Sequence, residues 1–164
     1  MIHVASSEYN ARYQALEIYL SGCTIRCPDC HNKELWEADV TLSDWESWMW
    51  KNKHKWHVPL VRRLWLMGGD PLCQEWPDLL SLLHFLVYTE KEVWLWTGKD
   101  SRDVPFPVLA VCKIPYIKTG AYMANSAPVT YAINENAHIT LASNNQQLFK
   151  LQPSGEYEPC PTIP

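Results

Sequence analysis

The chain has no run of basic residues, no long apolar stretch, no internal repeat and no low-complexity segment. Each absence removes a class of protein. With 14 Lys and Arg against 18 Asp and Glu, the formal charge is -4 and no electrostatic footprint for nucleic acid exists. No window is apolar enough to read as a membrane span. The opening residues, from Met1 to Glu8, lack the basic start and apolar core of a secretory leader, which predicts a cytoplasmic protein whose thiols stay reduced. In that compartment six cysteines point to metal or catalysis more than to disulfides. The 164 residues fit one domain, expected over residues 1–152, followed by a proline-rich tail, 153–164, without regular structure.

What is present is concentrated in one short stretch. Cys23, Cys27 and Cys30 fall within eight residues, far denser than core packing requires. Thiolates are the usual ligands of iron-sulfur clusters, and structural clusters or zinc sites normally take four protein ligands, so a set of three leaves a position for a substrate or cofactor. Their spacing would also fit one face of a helix, but Gly22 and Pro28 predict an irregular loop. Cys73, Cys112 and Cys160 are isolated and read as packing residues.

The hydrophobic pattern predicts an α/β fold. Ala15 to Leu20 reads as a strand leading into the cysteine loop. Leu42, Trp45, Trp48 and Met49 recur at helical spacing behind N-cap candidates at residues 41–44. Leu64 to Met67 reads as a buried parallel strand that stops at Gly68-Gly69-Asp70-Pro71. A helix from Pro77 to about Tyr88 and a strand from Val93 to Thr97 follow. Alternating strands and helices imply a mainly parallel sheet. Beyond Gly98 the pattern predicts a loop over residues 100–107, a short strand at 114–117, and one or two strands within 139–151. Nine tryptophans stand out, and Trp45, Trp48 and Trp56 lie among polar neighbours, which fits either partly buried packing or a protein-binding surface.

In open α/β sheets and barrels, sites form at the C-terminal ends of the strands, and both distinctive motifs fall there. Paired glycines let a backbone approach a ligand closely, and Asp70 offers an acceptor for a cationic group. Asp70-Pro71 equally fits an N-cap followed by a first helical residue.

Cys-x3-Cys-x2-Cys followed about forty residues later by Gly-Gly-Asp-Pro resembles the radical S-adenosylmethionine superfamily. Thr97-Gly98 and Lys118-Thr119-Gly120-Ala121-Tyr122 resemble, more narrowly, the activating proteins of anaerobic class III ribonucleotide reductases. The resemblance spans roughly residues 17–150 and implies a partial, open (β/α) barrel of radical S-adenosylmethionine type. It implies that Cys23, Cys27 and Cys30 hold a [4Fe-4S] cluster whose remaining iron is chelated by S-adenosylmethionine. Gly68, Gly69 and Asp70 would then meet the methionyl amino group, and Asp29, Cys30 and His31 would lie beside the adenosyl part. Asp29 stands where much of the superfamily has an aromatic residue, and His31 where many activases have tyrosine. The implied activity is reductive cleavage of S-adenosylmethionine to methionine and a 5'-deoxyadenosyl radical that takes hydrogen from a glycine of the reductase. The implied partners are the large subunit of that reductase and an electron donor such as a flavodoxin. Alternative readings are a small-molecule enzyme similar to 7-carboxy-7-deazaguanine synthase, a structural zinc site with His31 as fourth ligand, and an electron carrier with Cys73 as fourth thiolate.

Overall fold

The computed structural model describes residues 1–164. It opens with strand β1 (His3–Asn10), which pairs antiparallel with β2 (Ala15–Leu20). β1 is absent from the sequence expectation, because only its first residues are buried and polar residues fill the rest. The cysteine loop therefore follows the second strand. After it come a two-residue strand β3 (Ser43–Asp44) and helices α1 (Trp45–Lys51) and α2 (Lys53–Trp56). Asp44 caps α1 by accepting from the Ser47 amide at 2.9 Å.

β4 (Arg63–Gly68), α3 (Trp76–Tyr88, with Pro77 in its first turn) and β5 (Glu92–Trp96) fall where the periodicity places them. The stretch read as a loop over 100–107 instead holds a 3-10 turn at Ser101–Asp103 and the start of α4 (Phe106–Val111). Then follow β6 (Tyr116–Thr119), β7 (Val129–Asn134), β8 (Ala137–Leu141) and β9 (Gln147–Leu151).

The tail corrects the expectation of irregular structure. Tyr157–Pro159 forms β10 against β9, and Thr162–Ile163 forms β11 against β7. Proline is tolerated because β10 is the terminal strand of its sheet, where one side needs no donor. Pro161 contributes a carbonyl, accepting from Ala132 N at 2.9 Å.

The main sheet runs β10-β9-β6-β5-β4-β2-β1-β3, and its centre, β2, β4, β5 and β6, is parallel. A three-stranded sheet, β11-β7-β8, lies apart from it. The alternation of each central strand divides the core in two. Leu64, Leu66, Val93, Leu95 and Ile117 join the helices in one cluster, which takes in Leu79, Leu83 and Leu86 of α3. Trp65, Trp94 and Tyr116, from the other face, pack with Tyr131, Ile133, Ile139 and Leu141 of the small sheet.

Trp45, Trp48 and Trp56 are buried in the first cluster, with Trp45 and Trp56 against Phe85, so their polar neighbourhood does not mark a binding surface. Trp50, 70% exposed, faces away. No helix is long and apolar enough to cross a membrane.

Candidate metal and cofactor site

The C-terminal ends of the four parallel strands meet at one edge of the sheet. β2 delivers Ser21 and Gly22, β4 ends in Gly68, β5 leads to Thr97 and Gly98, and β6 carries Lys118 and Thr119. Residues 21–32 contain no helix or strand, as Gly22 and Pro28 predict. The loop closes back on its own base: Gly22 N donates to Leu35 O at 2.8 Å and Cys23 N to Trp36 O at 2.9 Å. Within it Cys30 N donates to Cys27 O at 3.0 Å, and Asn32 N donates to the Cys30 sulfur at 3.4 Å.

The paired glycines hold this loop against β4. Gly68 has φ +91°, in the left-handed region, and a Cβ there would strike the backbone of Tyr19 and Leu20. A Cβ on Gly69 would strike the Gly22 carbonyl. The close approach that the sequence reserves for a ligand is thus made first by the cysteine loop. Gly69 N donates to Leu20 O at 2.6 Å and Asp70 N to Gly22 O at 2.9 Å. Gln74 Nε2 lies 3.1 Å from each of three carbonyls, those of Ser21, Gly22 and Asp70.

Asp70 is buried, and its carboxylate already has protein donors. Oδ1 accepts from Leu72 N at 2.8 Å, Oδ2 from Gly98 N at 2.7 Å, and the Thr97 hydroxyl lies 2.9 Å from both. It caps the 3-10 turn Pro71–Cys73 and joins the ends of β4 and β5, so the N-cap reading of this residue describes its side chain. Burial, and then the negative charge at Cys73, push its carboxyl up to about 6, against the pull of these hydrogen bonds.

Around these segments lies a cavity of about 240 Å³. Cys30, His31, Gly68, Gly69 and Asp70 line it, together with Trp96, Thr97, Gly98, Lys118 and Tyr122. The His31 ring rests edge-on against Tyr122, with centroids 4.7 Å apart. Asp29 is exposed and faces a neighbouring depression formed with residues 122–127 instead.

Two lining residues have unmet capacity. The Trp96 indole N–H is buried without a hydrogen-bond partner. Lys118 is buried, its ammonium donating to Gly120 O at 2.7 Å and lying 6.0 Å from the Trp96 ring. Burial pushes the ammonium down to about 8, while the negative charges of Asp70 and Cys27 oppose the shift. The sequence gives no sign of this role for Lys118, because nothing in a strand pattern marks a lysine as inward-facing.

Cys23, Cys27 and Cys30 are unpaired and half-buried. Soft, reduced thiols on an irregular loop beside a cavity, with a buried cation close by, fit an iron-sulfur cluster. The donor atoms that lie closest together are those of Cys23, Asp70 and Cys73, all within 4.8 Å. Cys73, read as packing, therefore lies beside the candidate ligand Cys23. Thr24 approaches its sulfur with the amide at 3.5 Å and the hydroxyl at 3.1 Å. Hydrogen bonding to Cys23 pulls the Cys73 thiol down and holds the Cys23 thiol up, and burial adds to the latter. His31 is not part of that group. Cys112 is buried in the first core cluster and Cys160 in the second.

A sheet edge that gathers unpaired thiols beside a ligand-sized cavity defines the class of an iron-sulfur domain. Residues 13–128 match the family model of the 4Fe-4S single cluster domain, and the chain belongs to that family. Among curated proteins the chain is similar to anaerobic ribonucleoside-triphosphate reductase-activating proteins. That of Enterobacteria phage T4 is 29% identical over 97 residues, covering 53% of this chain and 58% of that protein. That of Salmonella typhi is 33% identical over 87 residues, 49% and 56% of the two chains. That of Pasteurella multocida is 30% identical over 107 residues, 61% and 66%. The chain thus spans little more than half the length of the first two relatives. No solved structure matches.

Proposed function

We propose that the chain is a radical S-adenosylmethionine activase for an anaerobic ribonucleotide reductase. The observation that carries this reading is the convergence, at the ends of four parallel strands, of the cysteine loop, the Gly68-Gly69-Asp70 turn and the Lys118 ammonium. On this reading the parallel strands belong to a partial, open (β/α) barrel, with the site at its usual end. The names of the relatives supply the target, the large subunit of the reductase. The work is assigned to a reducing, cytoplasmic setting with an electron donor such as a flavodoxin.

When bound, the cluster would supply an electron that splits S-adenosylmethionine into methionine and a 5'-deoxyadenosyl radical, which takes a hydrogen atom from a reductase glycine. Cys23, Cys27 and Cys30 would hold that cluster. The Asp70 side chain, occupied by its own donors, fixes the turn that would hold Gly68 and Gly69 beside the methionyl group. Lys118 offsets the negative charge of the thiolates and of a substrate carboxylate from a dry position, where the interaction is least screened. The unpartnered Trp96 N–H offers a donor at the cavity wall. The His31 and Tyr122 rings provide flat apolar surface beside Cys30 for an adenine.

Anaerobic reconstitution with iron and sulfide, reduction, and addition of S-adenosylmethionine should yield 5'-deoxyadenosine. Addition of the reductase should then yield a glycyl doublet in electron paramagnetic resonance. Cleavage without a doublet favours a small-molecule substrate. The placement of Cys73 beside Cys23 favours one other reading, an electron carrier with four thiolates, which requires a cluster but no cleavage.

A further inference from the structure

Cys73 has no part in the function proposed above, yet it is the thiol that the fold keeps nearest to Cys23. It ends the 3-10 turn Pro71–Cys73, half-buried, and its sulfur lies within 4.8 Å of the Cys23 sulfur. The segments bearing the two thiols are fastened by contacts that involve neither sulfur. These are the bond from Asp70 N to Gly22 O, the Gln74 amide bridging Ser21, Gly22 and Asp70 carbonyls, and the packing of Gly69 on Gly22. The pair therefore stays together whether or not Cys23 holds iron. To bond, the sulfur atoms must close to roughly 2 Å.

We propose that Cys23 and Cys73 form a reversible disulfide in the iron-free protein, which withdraws Cys23 from the cluster ligands and shuts the site to cluster assembly. The cross-link rests on the placement of the two thiols alone; its effect on assembly rests on the cluster reading above. The oxidant is a low-molecular-weight disulfide such as oxidised glutathione. The Cys73 sulfur attacks it as thiolate, forming a mixed disulfide and releasing one small thiolate. The Cys23 sulfur then displaces the second small thiol, and the Cys23 proton passes to that leaving group. Two protein thiols are oxidised by two electrons in total, and one small disulfide is reduced to two thiols. Excess thiol runs the exchange backwards. Two candidate ligands, Cys27 and Cys30, remain in the oxidised form, too few to hold a cluster.

The test uses the full chain prepared without iron, treated with oxidised glutathione, alkylated, digested with trypsin and mapped without reduction. Cleavage after Arg26 puts Cys23 in a different peptide from Cys27 and Cys30, so the connectivity is read directly. The expected product is a reductant-sensitive pair joining the Cys23 peptide to the Cys73 peptide. The same treatment of the cluster-loaded chain should give none of it. Oxidised wild-type protein should lose iron uptake and regain it with dithiothreitol, whereas Cys73→Ser should keep uptake without the reductant. Should Cys73→Ser lose its native circular dichroism, Cys73→Ala takes its place, and the wild-type peptide map needs neither variant. Cys23 joined to Cys27 or Cys30, Cys73 still free to alkylate, or Cys73 carrying only glutathione would each overturn the proposal. A chain that forms the cross-link but, when loaded, never cleaves S-adenosylmethionine refutes the activase reading and leaves the disulfide standing.

Discussion

Gly69→Ala tests the claim that the paired glycines serve the cysteine loop before they serve any ligand. The new methyl would overlap the Gly22 carbonyl, with the Gly22 carbon at 2.7 Å and the amide nitrogen at 2.9 Å. Ordinary contact begins at 3.4 Å and the carbonyl oxygen lies nearer still, so the two backbones must part by about 1 Å. That motion would stretch the bond from Asp70 N to Gly22 O, now 2.9 Å, to about 3.9 Å, beyond hydrogen-bond range. Gln74 can follow one segment but not both, so one or two of its carbonyl contacts weaken as well. At about 1 kcal/mol for each bond lost, the expected destabilisation is roughly 1–3 kcal/mol. It should be read as a lower urea midpoint with unchanged slope in the iron-free protein. The functional effect should be larger than the stability effect. Displacing a reacting centre by close to 1 Å can cost about 100-fold in rate, so 5'-deoxyadenosine formation should fall by that order while the protein remains folded. A Gly69→Ala protein with wild-type midpoint, iron content and turnover would refute the reasoning.

Cys27→Ala should abolish the brown chromophore and reduce bound iron to background, measured by absorbance and iron analysis after reconstitution. Lys118→Met separates stability from function. The folded lysine is held down to about 8, below its unfolded value of 10.5, so wild-type stability should rise as pH climbs from 8 towards 10.5. The variant should lack that rise and, without iron, should gain up to about 3 kcal/mol at neutral pH in urea titrations, yet bind S-adenosylmethionine more weakly when loaded. Thr97→Val removes the hydroxyl shared by both Asp70 oxygens and the acceptor for Lys99 N, at an expected cost of about 1–2 kcal/mol in thermal melts. Truncation after Gln152 removes β10 and β11 and should lower the melting temperature and open the Trp65 and Trp94 environment to water, seen as a red shift in emission.

The central strands were legible because they are buried on both faces and read as unbroken apolar runs, as Leu64 to Met67 does. α3 was legible because its wide apolar face recurs at helical spacing. β1, β7 and the tail strands were not, since each mixes polar and apolar residues and takes its form from its pairing partner, the next strand in the chain for β1 and β7 and a distant one for β11. α4, under two turns long, with Pro105 before it and Pro107 in its first turn, offered too few residues for a period. The site divides the same way. The cysteine spacing and the glycine pair are local signals and could be read directly. The occupancy of the Asp70 carboxylate depends on Thr97 and Gly98, at the end of a different strand, and the approach of Cys73 to Cys23 depends on the register of β2 against β4. No spacing rule carries that information.

The tail strands bear on how the protein is made. Every buried residue of the first core cluster precedes residue 118, so the cysteine loop and its supporting sheet can consolidate while the rest of the chain is still being synthesised. The second cluster needs Cys160, and β11 reaches back to Thr130 and Tyr131. The small sheet therefore closes late, over the face of the central strands that carries Trp65, Trp94 and Tyr116. The cysteine loop is thus backed by a finished core before the last strands pair.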